Sequence, residues 1–438
     1  MPVTEPMASS NGASDGGKLR LLCLTTQEPW PPIDGGKESV HGAVQALART
    51  TIVRLACPGR PASAEARAHY ESIDVDYRPV DFVPRESPDL VISALLQLKP
   101  FKFHKYGDSV AERLFDAAIG PFEPDAIICF HAHMEQLGQR LRRRRGWKAP
   151  VLIREQNIEY GLLRSYLETR PFWQRVLGAP IQWLTRREVW AIWRRADVTA
   201  FLSDGDFKVA MATGVAGNLV LIPEGTPLPA LRQARRPTGA PQLLIPLNWR
   251  APQSLANFRM FLYSHWAPMA DTPDLEGVSL TVTGVDEHQL AELSQMSVAE
   301  QRRLRVHAKG FLPTLQPAFE SALALVAPTF IGSGIRKKVL EGMANQVPII
   351  ATDLDIQTCA FFRRGHNILP LGEPREFAAV VRSLRDNEDL WNQLSGEGRH
   401  TVEVHADWGR FAELLIAELR QVLAGRGAVG VTARPGLP

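Results

Sequence analysis

The residues most suited to chemistry lie in one run, ALALVAPTFIGSGIRKKVLEGMANQVPIIATD, residues 322–353. Its pattern predicts a strand over 322–327, a glycine loop, a helix over 335–345 and a strand over 347–352. Gly332 and Gly334 flank Ser333 where the loop enters the helix. Glycines let backbone approach a ligand closely, and free N–H groups at a helix start favour anions. At about 100° per residue, Gly334, Lys337, Lys338 and Glu341 share one helix face, and Val339, Leu340 and Met343 the opposite, core-facing one. Amides, then cations, then a carboxylate suit a nucleoside diphosphate-sugar: phosphates at the helix start, ribose hydroxyls on Glu341. A solvated face with a Lys337–Glu341 pair, worth about 0.3–0.5 kcal/mol, fits the same spacing. The residues alone leave both readings open.

Other groups carry weaker signals. His131 and His133 follow the strand-like run AIICF. They could act in acid–base chemistry or simply cap the loop. Two histidines without a nearby carboxylate do not complete a metal site, and no metal is expected. Cys23, Cys57, Cys129 and Cys359 are scattered and read as buried reduced thiols. Trp183, Arg186, Arg187, Trp190 and Trp193 fall on one side of a helix over 181–195, and RLRRRR, residues 140–145, adds further cations. That face could lie on an anionic membrane or pack into the N-terminal half. The 50 Lys and Arg against 47 Asp and Glu give a net charge of +3, which excludes a general nucleic-acid binder.

The elements that must position these groups form two alternating βα series. Strands are expected at 19–25, 51–57, 126–130, 151–155, 198–202 and 218–225, then at 243–247, 278–284, 305–310, 322–327 and 347–352. A Pro/Gly-rich loop, QEPWPPIDGGK, follows the first strand. This order predicts an α/β protein with two facing Rossmann-like sheets and a cleft between them. The expected division is a disordered tail over 1–17, an N-terminal acceptor-binding domain over 18–228, and a C-terminal nucleotide-sugar-binding domain over 229–405. A helix over 406–424 is expected to pack back on the first domain, before a flexible tail over 425–438. The start of the chain has no apolar segment typical of a secretory signal, and no run reaches the roughly 18 apolar residues of a spanning helix. A cytoplasmic protein, peripheral at the inner leaflet if the Trp/Arg face meets lipid, is the expectation.

The run GSGIRKKVLEGMA, Gly332–Ala344, resembles the donor-binding signature of family 4 glycosyltransferases of GT-B fold. It is closest to the subgroup with GSG-[IL]-[RK]-x-K-x-LEAMA. Gly342 stands where alanine is usual, and Ser333 where many members carry a further glutamate. PWPPIDGGKESVHGAVQALA resembles the family's Pro–Gly–Gly loop, LIREQNIEYGLLRSYL its segment with Asn157 and Glu159, and IPEGT its IPNGvD turn, with Glu224 in place of asparagine. VHAKGFLPTLQPAFESA resembles the turn that faces the donor base. The resemblance implies a retaining, metal-independent glycosyltransferase that uses a nucleotide-sugar, most simply a UDP- or GDP-sugar, and a glycan, lipid-linked or small-molecule acceptor. It implies donor contacts from Gly310, Phe311, Leu312, Gly332, Ser333, Gly334, Ile335 and Glu341. Arg336 and Lys338 would stabilise the leaving diphosphate, and His131 would touch the transferred sugar. Gly35, Gly36 and Asn157 would lie at the cleft. A nucleotide-sugar epimerase of related fold and a non-catalytic partner subunit are the alternatives.

Overall fold

The structure is a computed structural model that describes residues 17–59, 64–84, 98–168, 170–230, 236–249, 251–332, 334 and 336–425. Residues 1–16 of the tail expected over 1–17, the end of the chain beyond 425, Ser333 and Ile335 lie outside the described residues.

Among the described residues, seven strands build the first sheet: β1 (Arg20–Leu24), β2 (Ile52–Pro58), β3 (Val75–Val80), β4 (Ala126–Cys129), β5 (Val151–Glu155), β6 (Val198–Phe201) and β7 (Leu219–Leu221). Their order is β3-β2-β1-β4-β5-β6-β7, with every pairing parallel. Six strands build the second: β8 (Gln242–Pro246), β9 (Ser279–Thr283), β10 (Val306–Ala308), β11 (Ala324–Ala327), β12 (Ile349–Ala351) and β13 (Leu369–Pro370). Their order is β10-β9-β8-β11-β12-β13, again parallel. This is the α/β GT-B architecture that the sequence predicts. The central strands are buried along their whole length, as parallel strands covered on both faces must be. β3 and β13 were not foreseen. Both lie at sheet edges and carry proline; β3 adds polar residues and β13 is only two residues long, which mutes the strand signal.

Strand order reverses between β1 and β4, and again between β8 and β11. Ligands in open α/β sheets bind outside the carboxyl ends of strands at such switch points. Helix α1 (Gly35–Ala48) leaves the loop after β1, and the Asp34 carboxylate caps it by accepting from the Lys37 amide at 2.9 Å. Helix α2 (Glu135–Arg145) follows β4, and α3 (Phe172–Arg195) lies between β5 and β6. Helix α4 (Lys337–Ala344) follows β11 and is shorter than expected. Val339, Leu340 and Met343 are buried on its core face, as the helical spacing requires. Helix α5 (Trp408–Leu423) buries Trp408, Phe411, Leu415 and Leu419 in one cluster with β1 and α1 of the first half. The chain enters it beside the first crossing between the halves, where the Thr226 amide donates to the Ala406 carbonyl at 2.8 Å.

Candidate functional site

A cavity of about 370 Å³ lies between the two sheets. From the first half, Gly35, Gly36, Ser39, Gln156, Asn157 and Glu224 line it. From the second half come the ends of β8 and β11, Gly332 and the start of α4. Of the residues expected from the sequence, the cavity thus gathers Gly35, Gly36, Asn157, Gly332, Arg336 and Lys338. Gly334 meets Asn157 across the cleft: its φ is +83°, and a Cβ there would lie 2.4 Å from Asn157 Oδ1. Only glycine fits that position, because the backbone is left-handed and the opposite wall is in contact.

Three consecutive cations face this space, each held by a different partner. Arg336 donates through Nε to the buried Asp355 carboxylate. Lys338 donates to the Pro246 carbonyl at the end of β8. Its burial lowers its pKa to about 8, with Glu341 pulling the other way. Lys337 reaches across the cleft to Glu38 Oε2 at 3.1 Å and to the Gly35 carbonyl at 3.3 Å. Glu341 lies one turn further along α4, outside the set that lines the cavity. Burial, then the nearby Glu38 carboxyl, raise its pKa, against the pull of Lys337 and Lys338.

The floor of the cavity holds an ion pair. Arg154 and Glu224 are both fully buried and 2.7 Å apart. Ser39 links them: its hydroxyl accepts from Arg154 at 2.8 Å and donates to Glu224 at 3.0 Å. The Arg154 guanidinium also packs by the rings of Phe130, Trp408 and Phe411. Sequence reasoning noted Glu224 only as a departure from asparagine. It missed Glu38, Asp355 and the Pro246 carbonyl, because their partners are 19 to 299 positions away. A signal was available only for Glu38, which sits in the first turn of α1.

His131 follows β4 with Nδ1 3.4 Å from Thr26 Oγ1, and does not line the cavity. Its pKa is lowered to about 4 by burial and then by the charges of Arg154 and Lys102, while a hydrogen bond with Gln156 opposes this. It is therefore neutral at pH 7. Gly310, Phe311 and Leu312 also stand outside the cavity, and Phe311 is 77% exposed. All four cysteines are buried and free, and burial raises the Cys57 thiol to about 12. Among the described residues, no group of three or more His, Cys, Asp or Glu side chains is placed to hold a metal ion.

The Trp/Arg face is corrected by the structure. Trp193 is 0% exposed and donates to Glu155 at 3.3 Å, and Trp190 packs against the same core. Trp193 is thus core where the end of α3 covers the sheet, and Trp190 is half-buried beside it. The basic run of α2 is largely neutralised: Arg140 pairs with Glu112, Arg142 with Asp197, and Arg144 and Arg145 with Asp116. Among the described residues, no helix is long and apolar enough to cross a membrane.

Residues 255–387 match the family described as Glycosyl transferases group 1. No curated protein matches the sequence. Among solved structures, the chain is similar to sucrose-phosphate synthase from Thermosynechococcus elongatus, with 17% identity, 93% of this chain and 100% of that one covered, and a TM-score of 0.64. It is similar to a glycosyltransferase from Rickettsia africae, with 11% identity, coverage of 93% and 99%, and a TM-score of 0.60. It is also similar to HepE from Anabaena in complex with UDP and glucose, with 12% identity, coverage of 92% and 100%, and a TM-score of 0.58. These likenesses show the fold. Together with the matched segment, they support a glycosyltransferase of GT-B fold.

Proposed function

We propose that this chain moves a sugar, with retention, from a nucleoside diphosphate-sugar to an acceptor hydroxyl on a glycan, a lipid-linked intermediate or a small molecule. One observation carries the reading. The switch-point cavity brings Gly35 and Gly36 of one half against Gly332, Arg336, Lys337 and Lys338 of the other. A diphosphate bridging the halves would meet three cations and the free amides of two helix starts. Arg336 and Lys338 are held in place by Asp355 and Pro246, so they need little reorganisation to stabilise charge on the leaving diphosphate. That stabilisation is assigned to the protein's own cations, without a metal ion. Glu341 would accept from the ribose hydroxyls once the cleft admits the nucleotide.

In the proposed step the bond from the anomeric carbon to the diphosphate oxygen breaks. The acceptor oxygen bonds on the face the diphosphate leaves, and its proton passes to a diphosphate oxygen. No protein base is needed. His131, neutral and hydrogen-bonded to the cavity residue Gln156, would contact the transferred sugar. HepE in complex with UDP and glucose, a protein of the same fold, favours UDP as the first nucleotide to try. Isothermal titration with UDP, GDP and ADP tests the reading. One of them binds the native chain, and Glu341→Ala weakens that binding by about tenfold, the worth of one charge-assisted hydrogen bond. If none binds, the proposal is overturned.

A further inference from the structure

Two residues beyond Asn157, the chain leaves the cavity wall as a helical hairpin made of Glu159–Glu168 and α3. Leu167 packs against Gly178 so closely that a Cβ there would lie 2.4 Å from its methyl group. The inner faces of the pair are thus occupied, and the outer face of α3 is not. Phe172 is 78% exposed, Leu177 68% and Trp173 60%, and Val176, Ile181 and Trp183 are each more than half exposed. At about 100° per residue, Phe172, Val176 and Trp183 fall within about 40° of one another, with Trp173, Pro180 and Leu177 adjoining. This is a continuous apolar stripe three turns long. Nothing among the described residues covers it, and large exposed apolar patches mark contact surfaces.

Its border is basic. Between residues 159 and 195 stand seven arginines and three glutamates. Glu188 and Arg195 are paired at the root of α3. On the projecting part, Arg170, Arg175, Arg186 and Arg187 are exposed. Arg170 lies over the Tyr166 ring at 4.4 Å and Arg187 over the Trp183 ring at 5.5 Å, so rings and cations are interleaved.

We infer that this face docks on an anionic lipid bilayer. The rings and aliphatic side chains enter the boundary between headgroups and acyl chains, and the arginines engage lipid phosphates. A second copy of the chain fits less well, because joining two such faces brings the arginine borders together. The surface is the projecting stretch of α3, ahead of Trp190 and Trp193, which pack toward the sheet. The docking does not depend on the glycosyl-transfer reading. Its corollary does: an acceptor delivered from that bilayer would be an amphiphile with its hydroxyl in the headgroup layer.

Vesicle flotation tests the docking. The full chain is mixed with vesicles of phosphatidylcholine alone, or with roughly one-third phosphatidylglycerol added. The native chain should float with the anionic vesicles about tenfold more than with the neutral ones, and lose that preference in high salt. Trp173→Ser with Leu177→Ser, and separately Arg175→Glu with Arg186→Glu, should each reduce flotation about tenfold. Both double variants should keep the native melting temperature and nucleotide binding, since these side chains are exposed and outside the cavity. Equal recovery with both vesicle types would overturn the proposal. So would native flotation by the first double variant, or a concentration-dependent dimer that the variant abolishes without any vesicle binding. Loss of nucleotide binding in the native chain would instead strike the glycosyl-transfer reading and leave the docking result standing.

Discussion

Replacing Gly334 by alanine should open the cleft at one identifiable contact. Two costs add. The backbone at φ +83° disfavours any residue with a Cβ, by about 1–2 kcal/mol. The new methyl would also lie 2.4 Å from Asn157 Oδ1, about 1 Å inside ordinary contact. The unliganded chain can shed both by moving the loop away from the opposite wall, but a bridging diphosphate requires the loop back. The strain alone then weakens nucleotide binding by about 5–30-fold, at 1.4 kcal/mol per tenfold. The overlap should carry the total loss toward a hundredfold, on the order of 3 kcal/mol. Asn157→Ala in the same chain removes the overlap and not the strain, so the double variant should recover to the 5–30-fold range. Titration calorimetry of the native, single and double variants with UDP measures each term. Gly334→Ala binding within about twofold of native would refute the claim that this loop must touch Asn157 for a nucleotide to bind.

Burial raises Glu155 to about 8. The unfolded chain ionises it near its ordinary value while the native chain keeps it protonated, so its contribution to stability is present at acid pH and lost as pH rises through about 8. Glu155→Gln keeps an acceptor for Trp193 and removes the titration. Its melting temperature should match native near pH 4 and exceed it at pH 9, by the equivalent of a few kcal/mol at most; a constant difference across pH would show that the carboxyl does not titrate there. Arg154→Met leaves the Glu224 charge buried and alone, and urea unfolding should show a loss of about 3–5 kcal/mol. Arg154→Met with Glu224→Leu should regain most of it, and a single-variant loss under about 1 kcal/mol would mean that Glu224 simply takes up a proton.

The fold was legible because its core strands are short apolar runs separated by glycine and proline. VLIRE, residues 151–155, is a strand over those same residues. β3 escaped because Arg78 and Pro79 interrupt its apolar pattern, which an edge strand tolerates. At the site, local signals survived: the positive φ values of Gly332 and Gly334 and the inward face of α4 follow from residue type and spacing. What failed was anything set by contacts distant in the chain. A helical wheel places Glu341 beside Lys337, yet Lys337 pairs with Glu38 of the other half. The same wheel puts Trp183 and Trp193 on one side. Where α3 projects, that side is bare; where it lies on the sheet, it is core. A periodic pattern states which residues share a face and not what the face meets.

The paired crossings at Thr226 and Ala406 have a mechanical consequence. The chain passes between the halves twice, and the two passages lie side by side, joined by a backbone hydrogen bond. A single tether would let the halves swing and twist freely. A doubled, bonded tether resists torsion about its own length, because twisting shears one strand past the other. It still flexes, since both strands can curve together. Trp408 anchors the second strand at once, wedged where a Cβ at either Gly42 or Gly225 would lie 2.3 Å from its ring. The connection thus favours bending over twisting, which keeps Gly334 aligned with Asn157 and Lys337 with Glu38 across the cleft.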